Sequence, residues 1–323
     1  MATRGTTGSA FRRLTADPRH YQIAILGGLL VYGLAALDFD ITGVRAAATL
    51  VTALLTQALC STLWKTRFDP RSALISGLSL CLLLRTNSMK WVVVAAVVTI
   101  ASKFILRFRG KHIFNPTNFG IVAMMLATGE VWVSPGQWGN FAFFGFLMAC
   151  LGGVVVNRAA RSDVTIAFIV AYMALVFGRS IYLYEPMTIP IHRLESGALL
   201  LFTFFMISDP RTTPDSRAGR MIFAALVAWG AWHITFRMFR TNGLLWALAL
   251  AAITVPVIDW LLPGSRYNWS RPDIGHSPAA PDHLGHEGGT PNETEALGAY
   301  LTRNRSHGLV RPGSGRLLRL LRS

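Results

Sequence analysis

Three short stretches of this sequence set polar side chains and proline directly against apolar runs, where their chemistry would be most costly to hide. The richest is Gly110-Lys111-His112-Ile113-Phe114-Asn115-Pro116-Thr117-Asn118-Phe119-Gly120. Pro116 favours the first position of a helix and Asn115 the cap before it, so Asn118 falls about one turn in. Helix-start amides beside the flat rings of Phe114 and Phe119 suit a polar heteroaromatic or anionic group. The same residues would also make a well-capped helix at a bilayer surface. Lys111 supplies a charge beside them.

The other two stretches share an Asp-Pro-Arg core. Asp69-Pro70-Arg71 runs into Ser72, Ser76, Gly77 and Ser79. Asp69 is expected to cap that helix, and Gly77 to admit either a neighbouring backbone or a flat ligand. Asp209-Pro210-Arg211-Thr212-Thr213-Pro214 ends an apolar run, with Asp209 free to pair with Arg211 or a neighbouring basic loop. The primary ligand-binding candidates are therefore Gly77, Phe114, Asn115, Asn118 and Asp209, with Ser76, Lys111, Thr212 and His233 behind them. His233 qualifies as an ionisable group in mid-span. Lys103 and Asp259 lie near span ends, where a side chain can snorkel to the surface. Cys60, Cys81 and Cys150 have no ligand spacing, and His276, His283 and His286 are too loosely spaced for a metal site, so no metal is expected.

What must position these residues is a membrane bundle. Of 323 residues, 52% are hydrophobic and only 15% charged, against roughly 25% charged in soluble domains. Apolar stretches at 21–37, 44–64, 72–84, 91–106, 115–128, 139–156, 164–181, 195–208, 218–236 and 243–262 predict an all-α integral membrane protein of about ten transmembrane helices. The stretches 72–84, 115–128 and 195–208 are too short for full crossings, which need about 20 residues. Short spans flanked by Gly and Pro mark broken helices. The division is a basic N-terminal segment at 1–20, a transmembrane domain at 21–262 and a disordered basic tail at 263–323.

The net charge of +15 sits in short loops, which favours anionic lipid over nucleic acid as its partner. With the N-terminus inside, inner loops hold about twice the basic residues of outer ones, counting Arg85 among the outer. The expectation is an N-in, C-in protein of the bacterial inner membrane, with Trp132 and Trp138 as outer interfacial anchors. The final GRLLRLLRS could lie on the membrane surface as a short helix.

The stretches FDPRSALISGLSLCLLL (68–84), GKHIFNPTNFGIVAMML (110–126), ESGALLLFTFFMISDPRTTP (195–214) and PVIDW (256–260) resemble, in this order, the RnfD/NqrB family. Its members are membrane components of the Rnf electron-transport complex and of the sodium-pumping NADH:quinone oxidoreductase. The resemblance implies two inverted five-helix halves, flavin binding and ion-coupled electron transfer. It departs at one point. Members with covalent FMN carry it on the threonine of Ser-Gly-Ala-Thr in an inserted loop, whereas this chain reads Ser196-Gly197-Ala198-Leu199 and has only a short connection at 157–163. No covalent FMN is expected. The chain looks like a shortened stand-alone member, similar to relatives associated with enediyne biosynthesis.

Two functions stay open. One is a redox-associated membrane protein holding a non-covalent flavin or quinone-like ligand, served by a redox partner protein because the chain has no nucleotide loop, Fe–S set or haem ligands of its own. The other is a channel or transporter for a small neutral solute or hydrophobic metabolite. As an enzyme the chain would be at most an electron-transfer subunit.

Overall fold

The two Asp-Pro-Arg stretches and the Asn-Pro stretch all mark helix boundaries in the computed structural model, which describes residues 17–36, 39–134, 162–194 and 196–267. In chain order it contains α1 (Pro18–Ala36), α2 (Gly43–Leu63), α3 (Pro70–Leu83), β1 (Leu84–Thr86), α4 (Met89–Ile105), β2 (Arg107–Phe108), β3 (Lys111–His112), α5 (Pro116–Thr128) and β4 (Val131–Val133). Then come α6 (Ser162–Tyr182), α7 (Thr188–Leu194), α8 (Gly197–Leu201), a π-helical turn (Phe202–Met206), α9 (Arg217–Phe236), α10 (Gly243–Ala252) and α11 (Val255–Leu261). The expected span 139–156, Trp138, Cys150, the connection 157–161, most of segment 1–20 and the tail from 268 onward, with its three histidines and terminal leucine-arginine run, lie outside the described residues.

Two described helices, α2 and α6, are long and apolar enough to cross a membrane. The bent pairs α7 with α8 and its π turn (50°) and α10 with α11 (49°) raise this to four if each pair is one span. α2 shows why such a helix forms. Val51, Leu55, Leu59 and Leu63 project outward at helical spacing, while Ala46, Thr49, Ala53 and Cys60 turn inward. Apolar side chains outside and small ones inside suit a helix that meets lipid on one face and packs closely on the other.

Two of the three short stretches form short single helices, while 195–208 falls in α8 and its π turn, within the first of the bent pairs. α3 has 14 residues and α5 has 13, and each gives way to a strand. β1 and β4 then pair antiparallel, Leu84 with Val133, Arg85 with Trp132 and Thr86 with Val131. This ladder supplies backbone partners that the ended helices no longer provide, a necessity wherever water is excluded.

Arg85 is not a loop cation. It is 1% exposed, and its guanidinium donates to the carbonyls of Cys81 (2.9 Å), Leu82 (3.3 Å) and Leu84 (2.7 Å). A charged fork thereby closes the C-terminus of α3. The Phe39 ring lies 5.4 Å from it.

Packing explains two glycines. A Cβ on Gly77 would stand 3.0 Å from Leu50 Cδ2 and 3.4 Å from Ala53 Cβ, so this glycine seats α3 on α2. Gly120 is tighter still, since a Cβ there would overlap Thr99 Oγ1 and lie 3.2 Å from Thr99 Cα. α5 therefore packs backbone-close against α4.

Chain beyond residue 263 also packs on the bundle. A Cβ on Gly264 would stand 2.5 Å from Ser216 N, and this contact turns Arg266 and Tyr267 back toward the 106–112 segment.

Candidate functional site

The site grows from a hairpin that the apolar pattern does not announce. Arg107-Phe108 pairs with Lys111-His112 across a two-residue turn, whose Arg109 and Gly110 have φ of 50° and 80°. Positive φ at both central positions is the type I′ geometry that matches strand twist. Its register sets Arg107 opposite His112 and delivers the chain to Asn115. Lys111 anchors the hairpin by pairing with Asp215 (2.9 Å) and Asp259 (2.7 Å). Both Lys111 and Asp259 are thus held by partners.

Asn115 caps α5 as its position before Pro116 requires, its Oδ1 accepting from Asn118 N at 3.1 Å. The other end of the amide does something further. Nδ2 donates to Asp209 Oδ2 at 3.2 Å and reaches Met206 O at 3.5 Å. Asp209 closes its own turn, with Oδ1 accepting from Arg211 N (3.1 Å) and its carbonyl from the amides of Thr212 and Thr213. Thr212 Oγ1 donates to the same carbonyl at 3.3 Å. The turn follows the π segment, where Ile207 N bonds Phe202 O, five residues back. That wider turn ends in Phe204, Phe205 and Met206 at the wall of the site; π insertions are frequent at functional sites.

A cleft of about 80 Å³ lies between these elements, lined among others by Ser72, Ser76, Lys103, His112, Asn115, Thr117, Phe204, Phe205, Met206, Asp209 and Arg211. Lys103 does not snorkel. It is 4% exposed, and its Nζ donates to Ser72 O (2.8 Å) and Ser72 Oγ (3.2 Å) in the first turn of α3. His112 is buried with Nδ1 unpartnered among the described residues. Burial first, then Arg107, Arg211 and Lys103, hold its imidazole down to about 3, so it is neutral. Burial pushes the Asp209 carboxyl up, opposed by the Arg211 amide and charge, Lys103 and Asn115. The cleft therefore offers a cation, a carboxylate, an amide and a neutral imidazole beside two phenyl rings.

Asn115, Asp209 and Ser76 line this cleft, and Asn118 sits just beyond it. Asn118 Nδ2 donates to Leu245 O of α10 at 3.2 Å, while its Oδ1 is buried without a donor among the described residues. Gly77 faces α2 instead. Phe114 packs against Phe119, rings tilted by 40° with centroids 5.2 Å apart, outside the lining. His233 lies against Trp229, rings 5.2 Å apart, elsewhere on α9. Asp69 precedes α3 but makes no side-chain cap. Its carboxylate goes to Arg19 at 2.7 Å, within a network where Asp17 meets Arg19 (2.7 Å) and Arg71 (2.8 Å). A charge-assisted bond to guanidinium outcompetes a lone amide. Among the described residues, no three His, Cys, Asp or Glu side chains converge as metal ligands.

Sequence comparison adds an independent line. Residues 131–268 match the NQR2, RnfD, RnfE family. Over 137 residues the chain is 31% identical to component D of the ion-translocating oxidoreductase complex of Pectobacterium carotovorum, covering 42% of this chain and 37% of that protein. The protein of the same name from Escherichia coli strain SMS-3-5 is 32% identical over 153 residues, covering 47% of this chain and 40% of the relative. The Salmonella paratyphi B protein is 34% identical over 128 residues, with coverage of 38% and 34%. The chain thus spans about two fifths of the length of the curated relatives it matches.

Proposed function

We propose, from the premise that the chain belongs to the NQR2, RnfD, RnfE family through residues 131–268, that it is a membrane subunit of an ion-translocating oxidoreductase system. In this reading it holds a non-covalent flavin or a quinone-like ligand at the Asn115–Asp209 cleft. It spans the bacterial inner membrane with about ten helices in two inverted halves, N-in and C-in. The 106–115 and 209–216 segments face the cytoplasm.

The observation that carries the reading is the meeting of Lys103, His112, Asn115 and Asp209 beside Phe204 and Phe205 in one cleft. A flavin edge presents ring nitrogens and carbonyls in alternation and so needs both donors and acceptors. Lys103 donates, Asp209 accepts while Asn115 holds it in place, and the buried orphan on His112 has bonding capacity to give. At about 80 Å³ the cleft admits the edge of a flat ring rather than its whole body. The remainder would lie toward the adjoining cavity that shares His112, Pro210 and Arg211. A bound flavin would supply one- and two-electron redox chemistry. The chain's part is to orient the ring edge, exclude water from it and set its hydrogen bonds. A partner protein would deliver electrons.

The channel reading rests on Met206. That side chain lines the cleft and also a second cavity of about 240 Å³ bounded by Leu83, Val133, Tyr172 and Leu245. The first cavity opens at the start of α3 and the second at its end, so a solute path would pass the π turn.

The deciding experiment titrates the detergent-purified protein with riboflavin, FMN and a short-chain quinone, reading flavin fluorescence quenching and tryptophan quenching. Saturable binding lost in Asp209→Leu with the folded fraction intact supports the redox reading. Absence of binding, together with solute flux in liposomes that Met206→Trp blocks, supports the channel and overturns it.

A further inference from the structure

Next to the cleft lies a basin of about 330 Å³ lined by Arg107, Lys111, Arg211, Arg266 and a single carboxylate, Asp215. That carboxylate is already engaged, since Lys111 bonds it at 2.9 Å. Three guanidinium groups therefore converge without a salt bridge among the described residues, although Arg211 also feels the Asp209 charge. Arg107 spends one nitrogen on Lys103 O and rests against the Phe104 ring at 5.3 Å. Arg211 and Arg266 make no side-chain hydrogen bond or ion pair among the described residues.

The fold itself holds these like charges together. The I′ hairpin fixes Arg107, the Asp209 turn fixes Arg211, and the Gly264 contact carries Arg266 back until its Nη1 stands 3.8 Å from the Cβ position of Gly110. Burial and the facing Arg211 both lower the Arg107 guanidinium. Like charges gathered by three separate segments need an anion to neutralise them.

We propose that this basin is a phosphate-ester site formed by Arg107, Arg211 and Arg266. It rests on the reading above in one respect: because Arg211 and His112 line both spaces, the phosphate belongs to the ligand whose ring edge enters the cleft. The basin therefore selects the phosphorylated form, FMN, over riboflavin. The phosphodiester of an anionic lipid headgroup carries the same chemistry from a second source, and the test separates the two.

The purified protein in neutral detergent is titrated with FMN and with riboflavin. FMN is expected to bind about tenfold or more tighter. Arg266→Gln should remove that advantage and leave riboflavin affinity unchanged, since Arg266 does not line the cleft; Arg211→Gln should weaken FMN as well. Equal affinities, with FMN insensitive to Arg266→Gln, overturn the selection. If neither flavin binds, the flavin reading fails, and the basin is judged alone by thermal stability. A melting temperature raised by inorganic phosphate over chloride at equal ionic strength, and lost in Arg266→Gln, upholds a phosphate site. A rise in phosphatidylglycerol nanodiscs over phosphatidylcholine ones, again lost in that variant, upholds it with lipid as the source. No rise in either overturns it.

Discussion

The side-chain amide of Asn115 bonds in two directions at once, accepting from Asn118 N at 3.1 Å and donating to Asp209 Oδ2 at 3.2 Å. One end finishes a helix. The other joins segments 94 residues apart in sequence. These roles separate under substitution. Asn115→Ala should cost about 1 kcal/mol for the lost cap. Asn115→Ser should recover most of that stability yet leave Asp209 Oδ2 without its donor. Asn115→Asp should cap but face a second carboxylate. Melting temperature and flavin binding measured on all three should diverge, with Ser near wild-type stability but impaired in binding. If binding follows stability throughout, Asn115 is a cap alone.

Acid should weaken the fold through His112. Its folded pKa of about 3 lies below the ordinary value of 6.5, so the unfolded chain binds the extra proton. The contribution is complete above the ordinary value and is lost as pH falls from there toward about 3. Asp209 has the opposite sign, being raised in the fold, so it gains on acidification at the lower end. Melting temperature between about pH 7 and about pH 5 should fall in the wild type and fall less in His112→Gln. Equal slopes would show that the imidazole is not held neutral.

Gly120→Ala should destabilise by about 1–3 kcal/mol, because the new methyl group overlaps Thr99 and the helices must part. Adding Thr99→Ala should recover part of this. Recovery would be incomplete because a contact of 3.2 Å to the Thr99 Cα remains. A fully additive double variant would contradict the contact.

The side of the membrane can be read chemically. Lys111 bonding Asp215 places the hairpin and the 209–216 turn together, so single cysteines at 110 and 214, in a background without Cys60, Cys81 and Cys150, should react alike. Both should be protected from impermeant reagent added outside, and a cysteine at 134 should react. Any other pattern overturns the N-in arrangement.

Ending the chain at residue 268 should leave the melting temperature unchanged, whereas ending it at 262 should lower it by several degrees. The second cut removes the Gly264 contact against Asp215 and Ser216. Equal melting temperatures would show that this contact contributes nothing.

Much of the cleft was legible because its clues were local. Asn-Pro announces a cap and an N1 proline wherever it stands, and short apolar runs beside proline reveal helices that stop early. What stayed hidden depends on tertiary neighbours. A lysine two residues from a helix end reads as snorkelling, and only the packing of α3 on its face shows that Lys103 is enclosed. Arg85 sits in the polar run Arg85-Thr86-Asn87-Ser88, which looks like a loop until its guanidinium is seen closing α3. Gly77 satisfied two readings in sequence, and the position of Leu50 and Ala53 selected the packing one for its contacts. The hairpin at 107–112 escaped because Arg-Gly is a weak I′ signal compared with Asn-Gly.

The β1–β4 ladder has a consequence for biosynthesis. When Leu84–Thr86 leaves the ribosome, its pairing partner Val131–Val133 does not yet exist. Released alone into lipid, α3 and its strand would carry unsatisfied backbone groups. The nascent chain must therefore keep both incomplete helices in the care of the insertion machinery until residue 133 has emerged, and release them together. Chains stalled before residue 131 should crosslink to the translocation channel at positions in α3, and chains stalled well beyond residue 133 should not. On the proposed topology, the unit of membrane insertion for α3 and α5 is then a pair of helices joined by a strand ladder, rather than the single helix.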